Sequence, residues 1–264
     1  MRRTAALVVA AALAAGTVRA EERPPILREV AFAQRLGEPI PLDVPLRDEA
    51  GRTVTLRRYT GKPLLLVPAY FTCPMLCTLV QNGVVSALRA LPFDVGSEFT
   101  VVTFSFDPHD GPEAAAAKKA TYLSEYRRAG ADAGWHFLTG DAASLGALTD
   151  AIGFRATWDE PHRQYAHASG IVLVTPEGRI ARYFFGVEFA PRDLRLAIVE
   201  ASANRIGTLV DALLLFCFHY DPATGRYSRL ALDAVRAGGV VTLLGLATAI
   251  VWWIRRERLG RAVA

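Results

Sequence analysis

The chain has 264 residues, 52% of them hydrophobic, with 30 Lys and Arg against 26 Asp and Glu and a net charge of +4. That length holds one large domain or two small ones, and the basic residues Arg2, Arg3, Arg255, Arg256, Arg258 and Arg261 sit at its ends. The middle carries no basic patch interleaved with aromatics, which argues against nucleic acid as a partner. Three cysteines leave one thiol over in an exported chain, which argues against a structural disulfide scaffold.

The two ends read as targeting segments. Arg2 and Arg3 give a charged start, residues 5–15 an apolar core, and Val18, Arg19 and Ala20 a small-x-small cleavage site, so residues 1–20 are expected to be a secretory signal peptide. Residues 237–254 form an uncharged apolar run with Trp252 and Trp253 at its end and an arginine-rich stretch after it. This run is close in length to a spanning helix, so a single C-terminal transmembrane helix is expected, with residues 255–264 as a cytoplasmic tail. The alternative is a buried helix of a soluble protein. Residues 206–236 then form a juxtamembrane segment, and the whole reads as a single-pass protein of the inner (cytoplasmic) membrane with its folded domain in the periplasm.

Between the ends, residues 21–38 are a mixed polar lead-in with Pro24 and Pro25, expected to be extended and loosely held. The folded domain is expected over residues 39–205. It starts with a short hairpin in which residues 48–51 turn between two alternating stretches. Residues 64–71 are apolar without alternation and predict a central strand, followed by a helix over residues 78–90. A second buried strand is expected at residues 99–106, and Pro112 with Glu113 opens a helix reaching about Arg128. A short strand at residues 135–138, a helix capped by Asp141, a hairpin over residues 169–185 with its turn at Thr175 to Gly178, and a last helix from Pro191 complete the pattern. Strand and helix alternate, which predicts an α/β fold with a parallel sheet and crossover helices.

The strand at residues 64–71 runs directly into Cys73 and Cys77, spaced C-x-x-x-C at the start of the following helix. Thiolates there feel the positive end of the helix, which makes them better nucleophiles and better metal ligands. The spacing alone leaves a redox pair, a metal loop and two small buried core residues all open. The other histidines, His109, His136 and His162, read as structural or solvated, and Asp107 before Pro108 reads as a loop-holding residue rather than a catalytic one.

Four ordered motifs then carry a resemblance: YFTCPMLC at 70–77, SFDP at 105–108, HFLTG at 136–140 and QYAHAS at 164–169. Together they resemble the Sco/SenC copper chaperones of cytochrome oxidase assembly, over roughly residues 40–202. The resemblance implies a thioredoxin-like fold, a central β-sheet flanked by helices, in which Cys73, Cys77 and His167 bind a copper ion. It also implies a partner, the copper-bearing subunit of a cytochrome oxidase. The sequence departs from the family at Met75 and Ala166, where the family usually carries acids.

Two thiolates and an imidazole suit copper, the thiolates favouring Cu(I), whereas a structural zinc site would call for a fourth ligand that is not evident beside them. Three functions compete. A copper metallochaperone uses Cys73, Cys77 and His167 together, a thiol–disulfide reductase keeping oxidase cysteines reduced uses only a Cys73–Cys77 redox disulfide, and a peroxidase-like enzyme would need an activating Arg that the loop lacks. The retained His167 favours the first. A further pair, Cys217 and His219, two residues apart before the apolar run, is expected to form an auxiliary copper site, against the alternative of a buried Cys and an interfacial His.

Overall fold

The computed structural model of the chain describes residues 26, 29–72, 76–205, 220–221, 226–227, 238–250 and 252. Its first strands are Ala31–Phe32 (β1), Leu46–Arg47 (β2) and Thr53–Val54 (β3). Leu64–Ala69 (β4) leads through the helix Leu76–Ala90 (α1) to Thr100–Ser105 (β5), and Pro112–Tyr126 (α2) leads on to Trp135–Leu138 (β6). Ala142–Ala151 (α3), Phe154–Asp159 (β7), Gln164–His167 (β8), Gly170–Val174 (β9), Ile180–Phe185 (β10) and Pro191–Ser202 (α4) follow, then the short pair Tyr220–Asp221 (β11) and Arg226–Tyr227 (β12).

The main sheet has the order β10-β9-β4-β5-β6. Strands β4, β5 and β6 run parallel, as strands joined by crossover helices must, while β9 and β10 form an antiparallel hairpin against β4. Every residue of β4 is buried, which explains why its sequence shows no alternation. Successive side chains of the strand serve two cores. Leu65 and Val67 face α1, α2 and α4, whose Val84, Tyr122 and Ile198 share their cluster, whereas Leu64 and Leu66 face α3 and the hairpins through Leu145, Leu148 and Phe154.

Two local features shape the surroundings of β4. Pro68 has no N–H to give a ladder, and it comes after the last β4 residue paired with β9, Leu66. Gly83, in the middle of α1, lets the helix lie against the loop after β10: a Cβ there would meet the Val187 carbonyl oxygen at 1.8 Å. Glycine costs helix stability, and here it permits the close approach.

Two expectations need correcting. The lead-in is not loose along its whole length, because β1 pairs with β7 and Phe32 is buried, with Phe154, Tyr183 and Phe185 edge-on around it. Tyr183 fastens the same segment, its hydroxyl accepting the Arg35 N–H at 3.1 Å and donating to the Ile152 carbonyl at 3.0 Å. Burial is the main cause that pushes this phenol up to about 12. The second correction is the strand pair β7–β8, absent from the sequence reading, which adds an antiparallel hairpin in which His167 is the last residue of a strand and lies opposite Ala156.

Residues 238–250 are helical and expose Val241, Leu243, Leu244 and Leu246. Among the described residues no helix is long and apolar enough to cross a membrane, so the expected spanning helix over 237–254 is not established. The expected signal peptide at residues 1–20 lies outside the described residues.

Candidate metal centre

The ends of β4 and β5 open towards the same side of the sheet, the place where open α/β sheets characteristically bind their ligands. Cys77 lies in the first turn of α1, buried at 5% exposure, where the helix N-terminus favours the thiolate. Its Sγ accepts the backbone N–H of Tyr70 at 3.4 Å and faces Nε2 of His167 at 3.4 Å. The sequence-predicted residues Cys77 and His167, ninety positions apart, are thus brought together by the hairpin β7–β8 folding over the end of β4. Cys73 and Met75 lie outside the described residues, as do Cys217 and His219.

His167 is oriented from behind. Its Nδ1 lies 2.9 Å from the Ala168 carbonyl oxygen, and a carbonyl only accepts, so Nδ1 carries a proton and Nε2 is the ring nitrogen turned to the sulfur. Phe106, Phe154 and Tyr70 pack around the imidazole with centroids 5.2, 6.0 and 6.2 Å away. This aromatic wall leaves the ring few orientations besides the one aimed at Cys77. Tyr165, also on β8, stands 5.4 Å from Tyr70 and directs its hydroxyl to Asp107 Oδ1 at 3.5 Å. Burial, with the Asp107 charge beside it, raises the Tyr165 phenol above its ordinary value.

A soft sulfur and an imidazole nitrogen that converge within 3.4 Å fit a metal such as copper. Bonds of about 2.3 Å to sulfur and about 2.0 Å to nitrogen, the lengths zinc makes, let one ion touch both atoms at that separation. Among the described residues no three His, Cys, Asp or Glu side chains gather as a cage, so a third donor has to come from elsewhere, and Cys73 is the candidate.

The remaining histidines stand apart from this pair, as the sequence suggested. His109 lies on its own loop with Nδ1 2.8 Å from Asp107, His162 is exposed beside Asp159, and His136 packs tilted against Tyr59 at 4.4 Å. Asp107 holds its loop as expected, accepting the His109 N–H at 2.9 Å. What sequence reasoning missed is Asp110: it is buried at 7% exposure, and its Oδ2 accepts the N–H of Phe71, at the foot of the cysteine loop, at 2.6 Å. No periodicity marks a lone loop acid as buried.

The chain is similar to known proteins in sequence and fold. The family description SCO1/SenC matches residues 34–201. The SCO1 protein homolog of Bacillus subtilis (strain 168) is 25% identical over 180 residues, which cover 65% of this chain and 88% of that protein. A solved protein from Aquifex aeolicus VF5 is 29% identical with a TM-score of 0.58, covering 64% of this chain and 95% of that one. The crystal structure of Arabidopsis thaliana ScoI with copper bound shares the fold at 18% identity and a TM-score of 0.50, covering 64% of this chain and 99% of the other.

Proposed function

The chain belongs to the SCO1/SenC family, and from that premise we propose that it is a copper metallochaperone that delivers copper to a respiratory cytochrome oxidase during its assembly. The observation that carries this reading is the 3.4 Å approach of His167 Nε2 to Cys77 Sγ. A thiol–disulfide reductase needs two cysteines and no distant imidazole, whereas a metal carrier gains a third donor from one. Copper is the cargo, held by Cys77, His167 and, on the family pattern, Cys73. Cys77 supplies a thiolate favoured by the helix N-terminus, His167 supplies a nitrogen fixed in its tautomer by Ala168, and the aromatic wall packs around the imidazole.

Titrating the reduced protein with Cu(I) is expected to give one bound ion per chain, and titrating it after oxidation to a Cys73–Cys77 disulfide is expected to give none, since both thiolates are then consumed. Equal copper binding by the two forms would overturn the chaperone reading. On this reading the carrier works at the outer face of the inner membrane, with residues 237–254 as its anchor. A reporter fused after Ala264 is accordingly expected to work only in the cytoplasm, and release of the intact protein without detergent would remove the anchor.

A further inference from the structure

Where β4 runs out, two consecutive backbone N–H groups are taken by two different side chains. Tyr70 N–H donates to Cys77 Sγ at 3.4 Å, and Phe71 N–H donates to Asp110 Oδ2 at 2.6 Å. The same carboxylate oxygen accepts the Ser105 hydroxyl at 2.6 Å, and Ser105 Oγ in turn accepts the Asp107 N–H at 3.1 Å. The ends of both inner parallel strands are therefore tied to one buried acid. Nothing in the copper site described so far uses it.

Burying a carboxylate is costly unless strong hydrogen bonds and a favourable field compensate. Part of the compensation comes from its place just before α2, whose N-terminal end is positive. Yet the bonds its Oδ2 accepts do not come from the N–H groups of α2. Both bonds accepted by Oδ2 come instead from the ends of β4 and β5, and one of them comes from the residue next to the amide that touches the sulfur.

We propose that Asp110 is a positioning residue for the Cys77 sulfur. By holding Phe71 N–H it fixes the peptide plane between Tyr70 and Phe71, and that plane with its neighbour presents Tyr70 N–H to Sγ. Loss of Asp110 therefore frees two neighbouring amides at once and takes the Tyr70 donor from the sulfur. The assignment rests on Cys77 being a donor of the proposed site.

The test uses the full chain with Cys73→Ser and Cys217→Ser, so that Cys77 is the single remaining thiol of the three. In this parent, Asp110→Ala and Asp110→Asn both remove the charge, but only the asparagine keeps an acceptor oxygen where Oδ2 stood. Hydrogen–deuterium exchange read at residue resolution is expected to accelerate about tenfold or more at both Tyr70 and Phe71 in Asp110→Ala, and to stay within about twofold of the parent in Asp110→Asn. Cys77→Ala, which removes the sulfur and keeps the acid, is expected to accelerate exchange at Tyr70 and to leave Phe71 within about twofold of the parent. Equal exchange in the alanine and asparagine variants of Asp110, or faster exchange at Phe71 with Tyr70 unchanged in Asp110→Ala, overturns the proposal. Should Asp110→Ala fail to fold, Ser105→Ala keeps the acid and removes one of its bonds. It is expected to accelerate exchange at both amides by a smaller factor, and exchange equal to the parent's at both overturns the proposal as well. The copper reading is judged separately, on the unmodified chain: no copper bound there, with both amides still faster in Asp110→Ala, overturns that reading and leaves this one standing.

Discussion

Cys77→Ser is expected to abolish stoichiometric Cu(I) binding by the reduced protein, and His167→Ala to weaken it about tenfold to hundredfold with the fold intact. The first effect follows from softness. A serine oxygen is hard and protonated, and it gives Cu(I) almost nothing in place of a thiolate held at a helix N-terminus. The second is smaller, because losing one nitrogen leaves the sulfur donors, and outer partners of a metal site are themselves typically worth ten- to a hundredfold in affinity. The fold should survive because the bond His167 makes through Nδ1 goes to Ala168, the next residue in the chain, and removing it frees no distant buried group. Its ring does pack on Phe106 and Phe154, so a modest loss of stability is expected alongside. Competition against a chromophoric Cu(I) chelator measures the affinities, and circular dichroism checks the fold. If His167→Ala held copper as tightly as the parent, the imidazole would not be a ligand and the reductase reading would gain.

The elements that support the site were legible for definite physical reasons. Strand β4 has no alternation because it is buried on both faces, and Asp141 announces α3 because its carboxylate caps the helix, accepting the Ser144 N–H at 2.7 Å. The hairpin β7–β8 was also written in the sequence: Phe154, Ala156 and Trp158 alternate with Arg155, Thr157 and Asp159, and residues 160–163 supply the turn. It was overlooked because Trp158 is exposed and the strand is only half-buried, so the polar residues dominate the reading. The site itself was legible in its chemistry and not in its support. Cys77 and His167 could be picked out by residue type and by resemblance, but nothing local in the sequence says that Asp110 turns back to hold Phe71. That contact joins positions 39 residues apart and depends on the parallel pairing of β4 with β5.

Lys119→Met is expected to destabilise the domain by about 3 kcal/mol, the cost typical of leaving a buried charge without its partner. Lys119 and Glu49 are 10% and 15% exposed, and their Nζ and Oε1 atoms are 2.5 Å apart. The ammonium also reaches Asp132 through its carboxylate at 3.0 Å and its carbonyl at 2.9 Å. Glu49 Oε2 accepts the Phe137 N–H at 3.2 Å, and His136, packed tilted against Tyr59, brings Nδ1 within 3.8 Å of Oε1. Glu49 stands in the turn between β2 and β3, so this network fastens that hairpin and α2 onto β6, the edge of the main sheet, beside the backbone bonds between Arg47 and Thr139. Replacing Lys119 leaves the Glu49 carboxylate buried against a neutral methionine. The double change Glu49→Gln with Lys119→Met is therefore expected to recover part of the loss, which a double-mutant cycle in urea would read as a coupling of more than about 1 kcal/mol. The pH dependence has a definite sign. Burial pushes the Glu49 carboxyl up, but the nearby His136 ring, the Lys119 ammonium and a backbone hydrogen bond outweigh it and hold it down at about 2, against an ordinary 4.5. A depressed carboxylate contributes stability that is complete above its ordinary value and is lost as pH falls towards its folded one. The advantage of the parent over Glu49→Gln should thus be constant from pH 7 to about 5 and shrink between about 4.5 and 2. Parallel stability curves for the two proteins across that window would show that the carboxylate is not held by this network.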